Sequence, residues 1–537
     1  MELSIAGLKQ GTDYATAGIS VPTFDVAQMQ ASGRETPRWV HLGPGNIFRV
    51  FIAKIAHSMI ADGKRWPITA VVPRDAAKLD LQLAPHDLMT LGVTLNPDGT
   101  RSLDVIAGMG EALAASRIAD FERLMEVAVR EEVTLVSLTI TEKGYAVRDS
   151  SGDLAAAARH AITADPHQQQ SHAMALLATL LLRRWEAGGP PITLLSCDNF
   201  SHNGDKLRDA IFTIIGGWAE RGAVSPEFVA WVRDGSRVAF PISVIDKITP
   251  LPNQSVADDL AELGFSDMGL VTAGQTPVAG FVNTESAQYL VIEDNFAAQR
   301  PPFEEYGVQM VSREVCDAFE HMKVTTCLNP LHTALAVTGC LLRFPTIDAE
   351  MRDPLLAELV HRLGWSEGLP VVVDPGIVSP ADFLTEVETV RFPNRYLPDD
   401  PARIAMDTSQ KLPIRFGETI KRYLERGLGL EQLEVIPLVF ALWCRYLMGI
   451  ADDGAPFTPS SDPLLEELQA HVSHIALGDH IDVHEALNPI LANAEIFAVD
   501  LYETPLAAKV ENYFSRLIAG PGAVRAVLAE VLNKESE

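Results

Sequence analysis

Four polar segments carry residue types that hold or transform ligands. The first is Gly43-Pro44-Gly45-Asn46-Ile47-Phe48-Arg49, set between an apolar run at Trp39–Leu42 and a helical stretch at Phe48–Ile60. Small residues in a strand–turn–helix junction let the backbone turn tightly and approach a pyrophosphate at the helix N-terminus. The G-x-G part is present, whereas Phe48 stands where the dinucleotide fingerprint has Gly or Ala. Gly43, Gly45, Asn46, Ile47 and Phe48 are the candidate pyrophosphate-binding residues, with an ordinary βα turn as the bland alternative. Beyond the next apolar run come Arg74 and Asp75. A carboxylate there suits the adenosine ribose of NAD, and an arginine suits the 2′-phosphate of NADP, so the sequence leaves that choice open.

The second segment follows Ile192–Ser196 and reads Cys197-Asp198-Asn199-Phe200-Ser201-His202-Asn203-Gly204. Ligands of open α/β sheets bind beyond the carboxyl ends of the strands, which is where Asn199 falls. An Asx turn made by Asp198 and Asn203 explains the same residues without a ligand. The third segment runs from His321 to His332. Lys323 ends a helix whose apolar face is Val315, Phe319 and Met322, a position the helix dipole favours for any lysine. Asn329-Pro330 reads as the cap and first residue of a helix over Pro330–Leu342. His332, in its first turn, feels the positive helix end, which keeps the imidazole neutral. The fourth segment, Arg391–Arg426, holds eight Lys/Arg against five Asp/Glu in a chain whose formal charge is −28. Arg and Lys are what an anionic or polyhydroxylated ligand needs.

These residues need elements to position them. Trp39–Leu42, Ile68–Val72, Val133–Ile140 and Ile192–Ser196 are short, β-branched apolar runs separated by helical stretches, which predicts a mostly parallel sheet covered on both faces. Val238–Val244 and Tyr289–Glu293 are further strand-like runs, and Pro301-Pro302 breaks the pattern. Beyond it the periodicity is helical, notably at Ile436–Met448, Pro505–Ile518 and Val524–Leu532. The expected architecture is α/β: a Rossmann-type, mostly parallel sheet domain over residues 1–305, then a mainly α-helical domain over 306–537.

Composition narrows the function. With 537 residues, 47% of them hydrophobic, the chain can bury a large core, so wholesale disorder is excluded. The −28 charge repels nucleic acid and anionic membrane surfaces, and neither is an expected partner. No apolar stretch is long enough to span a bilayer, and Met1–Thr12 has no signal-peptide pattern. Five scattered cysteines without a C-x-x-C pair point to a reducing, cytoplasmic setting. His471-x-x-His474 and His480-x-x-x-His484-Glu485 have ligand-like spacing but read better as surface helix histidines, so no metal is expected.

At these residues the chain resembles the mannitol dehydrogenase family of zinc-independent polyol and hexuronate oxidoreductases. The matching pieces include Gly43–Arg49, Thr139-Ile140-Thr141-Glu142-Lys143-Gly144-Tyr145, Cys197-Asp198-Asn199 with Asn203-Gly204, and Ile245-Asp246-Lys247-Ile248-Thr249-Pro250. Downstream they are Lys323, Leu328-Asn329 with His332, and Arg403 with Asp407, Ser409 and Lys411. The resemblance implies that Lys323 is the general acid/base and that Asn199 and Asn329 donate amide N–H groups to the developing alkoxide. It further implies that Asp246, His332, Arg403 and Lys411 position the substrate and that Glu320 helps relay the proton. A free lysine titrates near ~10.4, so this work needs burial or cationic neighbours. The chain departs from the pattern in three places. Lys323 lies six residues before Asn329, one more than in the family members compared. Pro330 replaces a usual glycine, and Met406 stands where mannitol-type enzymes have a further substrate-contacting histidine.

The implied reaction is metal-independent hydride transfer with NAD, NADP not being excluded, on a small sugar acid or polyol, by a monomer or small homo-oligomer. The basic segment with Arg415 looks more like the hexuronate side, fructuronate and mannonate. Mannitol and fructose, or tagaturonate, are the alternatives, and a non-catalytic dinucleotide sensor is a remote one.

Overall fold

A computed structural model describes residues 1–10, 12–149 and 151–533. The chain divides into two compact units, Met1–Cys316 and Asp317–Glu537.

The first unit is built on six parallel strands: β1 (Trp39–Leu42), β2 (Ile68–Val72), β3 (Met109–Ala114), β4 (Leu135–Leu138), β5 (Ile192–Ser196) and β6 (Val238–Ala239). Their order, β3-β2-β1-β4-β5-β6, is that of dinucleotide-binding sheets, with the reversal between β1 and β4. Side-chain alternation shows why the strands read as unbroken apolar runs. Val40, Leu42, Val136, Leu138 and Leu194 enter one buried cluster, whereas Trp39, Ile68, Ala70, Leu135 and Leu195 enter the cluster on the other face. The first face is covered by helices α2 (Ala173–Glu186) and α3 (Asn203–Glu220), the second by α1 (Ala53–Ala61) and by Ile245, Leu290 and Ile292 of a smaller sheet.

The structure changes one reading of the sequence and adds one element not expected from the sequence. Val238–Val244 is not one strand: the chain leaves β6 at Phe240-Pro241 and re-forms as β7 (Ser243–Asp246), antiparallel to β8 (Tyr289–Glu293) in a separate sheet completed by β9 (Gln309–Val311). Pro241 has no N–H to donate, so the ladder breaks there. The added element is the hairpin of Thr90–Leu95 and Arg101–Ile106, turned at Pro97-Asp98-Gly99, which leads directly into β3.

The second unit is helical. Helix α4 (Arg313–Met322) enters it and leads into a π-helical turn, Lys323–Cys327, and then α5 (Asn329–Leu342). Helix α6 (Val435–Leu447) is apolar on every face apart from Arg445 near its end, and buried at every residue. Its N-terminal amides are met by one buried carboxylate: Glu367 accepts from Glu434 and Val435 at 2.6 Å and Ile436 at 2.8 Å. Helix α7 (Leu506–Leu517) packs beside it, and its Leu517 carbonyl accepts Arg445 Nε at 3.3 Å. None of the described helices is long and apolar enough to cross a membrane.

Glu350, on the helix Ile347–Met351, is completely buried, and neither carboxyl oxygen has a hydrogen-bond partner among the described residues. Burial, and then Asp348, push it up to about 9. The folded state therefore keeps a proton that the unfolded chain releases above ~4.3, so stability falls as pH rises from there towards the folded value. Glu350→Gln cannot titrate. Its melting temperature relative to the parent protein should rise by on the order of several degrees between pH 5 and pH 9. Parallel melting curves across that range would refute the burial account.

Candidate active site

In the first unit the carboxyl ends of β1, β2, β4 and β5 surround a cavity of about 690 Å³, a volume suited to a small-molecule cofactor. Gly43, Gly45, Asn46 and Ile47 line it from the turn after β1, Arg74 and Asp75 from β2, and Thr139–Thr141 from β4. Asp198 lines it from β5, and Thr249, Leu251 and the hairpin segment Ala273–Val278 close the rim.

Close packing dictates the turn. Gly43 has φ +86°, and a Cβ there would overlap the Thr139 carbonyl. Thr139 Oγ1 also donates to the Gly43 carbonyl at 2.8 Å. A Cβ on Gly45 would meet no protein atom nearer than 3.9 Å and would occupy the cavity itself. That is the cradle a pyrophosphate needs. Asn46 is partly committed to structure, since Nδ2 donates to the Pro250 carbonyl at 3.0 Å. Phe48 does not line the cavity: it is fully buried and stacks on His41 at 4.1 Å, filling space behind the turn where the fingerprint has Gly or Ala. Burial drives His41 down to about 3, so the stacked imidazole is neutral.

Among the described residues the Asp198 carboxylate makes no Asx turn and faces the loop after β4 instead. It accepts the Ile140 and Thr141 amides at 2.9 and 2.8 Å and the Tyr145 hydroxyl at 2.6 Å. Burial pushes its titration up, and these donors oppose that. Thr141 is held at φ +66°, a conformation that only glycine adopts freely, and the two amide bonds fix it there. Asn203 ties the same loop to β7, donating to the Asp198 and Ser243 carbonyls, each at 2.9 Å. Asn199 is exposed in the bend after β5, and Asp246 is buried at the end of β7.

In the second unit Lys323 is 2% exposed and opens the π-helical turn, its carbonyl accepting the Leu328 N–H at 3.1 Å. Such a turn contains one residue more than an α-turn, which matches the one-residue longer spacing from Lys323 to Asn329. Glu320 lies half-buried on the last turn of α4. Asn329 is not the helix cap. Leu328 is, with φ −134° and its carbonyl accepting the His332 N–H at 3.0 Å, because the π-turn delivers the chain one residue early. The Asn329 side-chain amide consequently has no hydrogen-bond partner among the described residues.

Around that first turn of α5 stands a cluster of cations. Burial, then Arg415, Arg403, Arg391 and Lys411, lower His332 to about 3. Its Nε2 is 3.5 Å from Asp399 Oδ2, which is a contact of a neutral imidazole rather than an ion pair. The ring also packs on Phe392 at 5.1 Å. Arg403 Nε donates to Asp399 at 2.9 Å, and Lys411 Nζ donates to the Ile404 carbonyl at 3.0 Å and to that of Met406. Burial and Arg415 lower Lys411 to about 8. The structure thus brings Asn329, His332, Arg403 and Lys411 together. It adds Asp399 and Phe392, which no pattern in the sequence marks, and Arg391 and Arg415, which the basic segment contains.

The turn geometry separates two substitutions. Gly43→Ala should lower the melting temperature, at a cost of about 1–3 kcal/mol for the left-handed conformation and the overlap. Gly45→Ala should melt near the parent temperature yet bind a reduced dinucleotide at least about tenfold more weakly, because its methyl stands where the backbone approaches pyrophosphate. Thermal unfolding together with fluorescence titration distinguishes the two, and equal effects of both variants would contradict the assignment.

Comparison with known proteins identifies the family. The family model of the mannitol dehydrogenase Rossmann domain matches residues 37–305, and that of the mannitol dehydrogenase C-terminal domain matches 315–518. The chain is 45% identical to a D-mannonate oxidoreductase of Thermotoga maritima, over all of both chains. It is 32% identical to a mannitol 2-dehydrogenase of Cereibacter sphaeroides, covering 84% of this chain and 88% of that one. Among solved structures, the Pseudomonas fluorescens mannitol 2-dehydrogenase ternary complex with NAD and D-mannitol superposes with a TM-score of 0.72 at 26% identity, covering 100% of each chain. From its first strand to its late helices, the chain belongs to the mannitol dehydrogenase family.

Proposed function

We propose that this protein interconverts a keto-hexuronate and its sugar acid, fructuronate and mannonate, using NAD(H). The observation that carries this reading is the cation cluster around Asn329 and His332, an anion-attracting site on a chain of formal charge −28. The full-length 45% identity to a D-mannonate oxidoreductase supports it. Two observations support NAD over NADP: Asp75 lines the cavity after β2, where a carboxylate suits a ribose diol, although Arg74 lines it too, and the Pseudomonas complex holds NAD.

The dinucleotide, when bound, supplies the hydride to the ketone or accepts it from the alcohol. The remaining chemistry falls to side chains. As hydride arrives, the substrate oxygen gains negative charge, and Lys323 Nζ gives it a proton. In the reverse direction Lys323 removes the proton from the hydroxyl. Asn199 and Asn329 donate amide N–H groups to that oxygen, each donor worth on the order of 10²–10³ in rate. Glu320, one helical turn before Lys323, relays the proton. Neutral His332 exchanges hydrogen bonds with a substrate hydroxyl without adding charge. Asp246, Arg403 and Lys411 position the rest of the sugar acid. No metal has a role in this scheme. The substrate is a small molecule, and we place the enzyme in the cytoplasm, where its five free cysteines would stay reduced, as a monomer or small homo-oligomer.

Two measurements test the proposal. Initial rates with fructuronate, tagaturonate and fructose, each with NADH and NADPH, should give the highest kcat/KM for fructuronate with NADH. Preference for fructose would place the protein with the mannitol dehydrogenases instead. Lys323→Ala should lower kcat by at least about 10²-fold while leaving the NADH dissociation constant within about threefold. Turnover at the parent rate in that variant would remove Lys323 from the mechanism.

A further inference from the structure

Arg415 sits in the π-helical turn Pro413–Gly417 and reaches the first turn of α5, donating from Nη1 to the Asn329 carbonyl at 3.4 Å and to the Thr333 hydroxyl. Those two bonds hold it on the same helical turn as Asn329 and His332. Its neighbours are committed elsewhere: Arg403 lies on Asp399, and Lys411 on two backbone carbonyls. Arg415 differs from them. Among the described residues no carboxylate lies within ion-pair distance of it, and Nε and Nη2 have no hydrogen-bond partner. The guanidinium is nevertheless mostly withdrawn from water, and burial lowers it to about 10. Its charge also acts on a second cation, being the foremost charged contributor to the lowering of Lys411.

A partly buried cation without a counter-charge is costly unless something anionic completes it. The Nε and Nη2 hydrogens form the side-on edge of a guanidinium, which matches a carboxylate through two parallel N–H···O bonds. Resting on the keto-hexuronate reading above, we infer that Arg415 selects the acid: its Nε/Nη2 edge binds the substrate's terminal carboxylate. A neutral ketose presents a hydroxymethyl group at that end, which leaves the guanidinium uncompensated. Arg415 is therefore a specificity-determining residue, separate from the groups that act on the reacting carbon.

The test is the ratio of kcat/KM for fructuronate to that for fructose, measured with NADH in the full-length protein, in Arg415→Met and in Arg415→Lys. Charge-assisted hydrogen bonds of this kind predict that Arg415→Met lowers the ratio by about 30-fold or more, chiefly through KM for fructuronate. Arg415→Lys keeps the charge but not the two-pronged geometry and should fall between. A purely structural role, acting through Asn329 and Thr333, would lower both substrates together and leave the ratio unchanged. That result overturns the inference. If Arg415→Met does not bind NADH and so is not folded, Arg415→Lys decides: a ratio within about twofold of the parent overturns the inference, and a clear fall sustains it. No turnover of any keto-hexuronate by the parent protein would instead overturn the functional reading, and the assignment of Arg415 with it.

Discussion

The carboxylate of Asp198 is the contact on which the cofactor cavity depends. A buried carboxyl group stays ionised at little cost only when donors satisfy it, and here two consecutive backbone amides and a tyrosine hydroxyl do so. The same bonds hold Thr141 in a conformation that a threonine avoids. With that loop fixed, the Thr139 carbonyl has one position, and the turn after β1 must pass close to it. Only glycine at position 43 fits. The constraint thus runs from the end of β5, through the loop after β4, to the turn after β1. These are the central strands of the sheet, on either side of the point where the strand order reverses. What resembles a phosphate-binding motif in one segment is held in shape by a residue more than 150 positions later, as the separation of Asp198 from Gly43 shows.

The helical unit uses a different device for the same end. π-Helical turns occur at Lys323–Cys327 and at Pro413–Gly417, the two segments that present Lys323 and Arg415. Each contains one residue beyond the α-helical count, and this rotates the next stretch of chain relative to the preceding helix. The first also moves the cap of α5 to Leu328 and so spares the Asn329 amide from capping. Its Thr325 carbonyl is met by Thr419 Oγ1 at 3.1 Å, just beyond the second turn, so the two irregularities brace each other.

How much of this was legible in the sequence depended on range. The parallel strands were readable because residues buried on both faces leave unbroken apolar runs, and Trp39–Leu42, Ile68–Val72 and Ile192–Ser196 have the bounds their composition predicts. Val238–Val244 misled because the run shows hydrophobicity but not which of two sheets each half joins. Asn329-Pro330 misled because cap preference is a local rule, overridden by a π-turn that no local pattern announces. Asp198 was visible only as an Asx-turn residue, since its partners Ile140, Thr141 and Tyr145 lie more than 50 positions away. Asp399 was hidden differently. An acid in a basic segment reads as a solvated counter-charge, yet it is the group that engages Arg403 and approaches His332.

The charge distribution ties these features to function. Most of the 71 acidic side chains lie on a solvated surface, where they interact weakly and chiefly confer solubility. Of the cations near α5, Arg391 is buried and Arg415 and Lys411 are partly withdrawn from water, whereas Arg403 is exposed, so the first three count for more. Their effects are seen in His332, kept neutral, and in Lys411, brought to about 8. A cluster like this would be relaxed by an acid at its centre if stability were its only purpose. Among the described residues, Arg403 is the arginine here that Asp399 meets, and the Nε/Nη2 edge of Arg415 is left unmatched. Local rules broken without an internal remedy mark sites completed by a ligand. An anion that enters here replaces water on a guanidinium already held in place by Asn329 and Thr333, so little ordering remains to oppose binding.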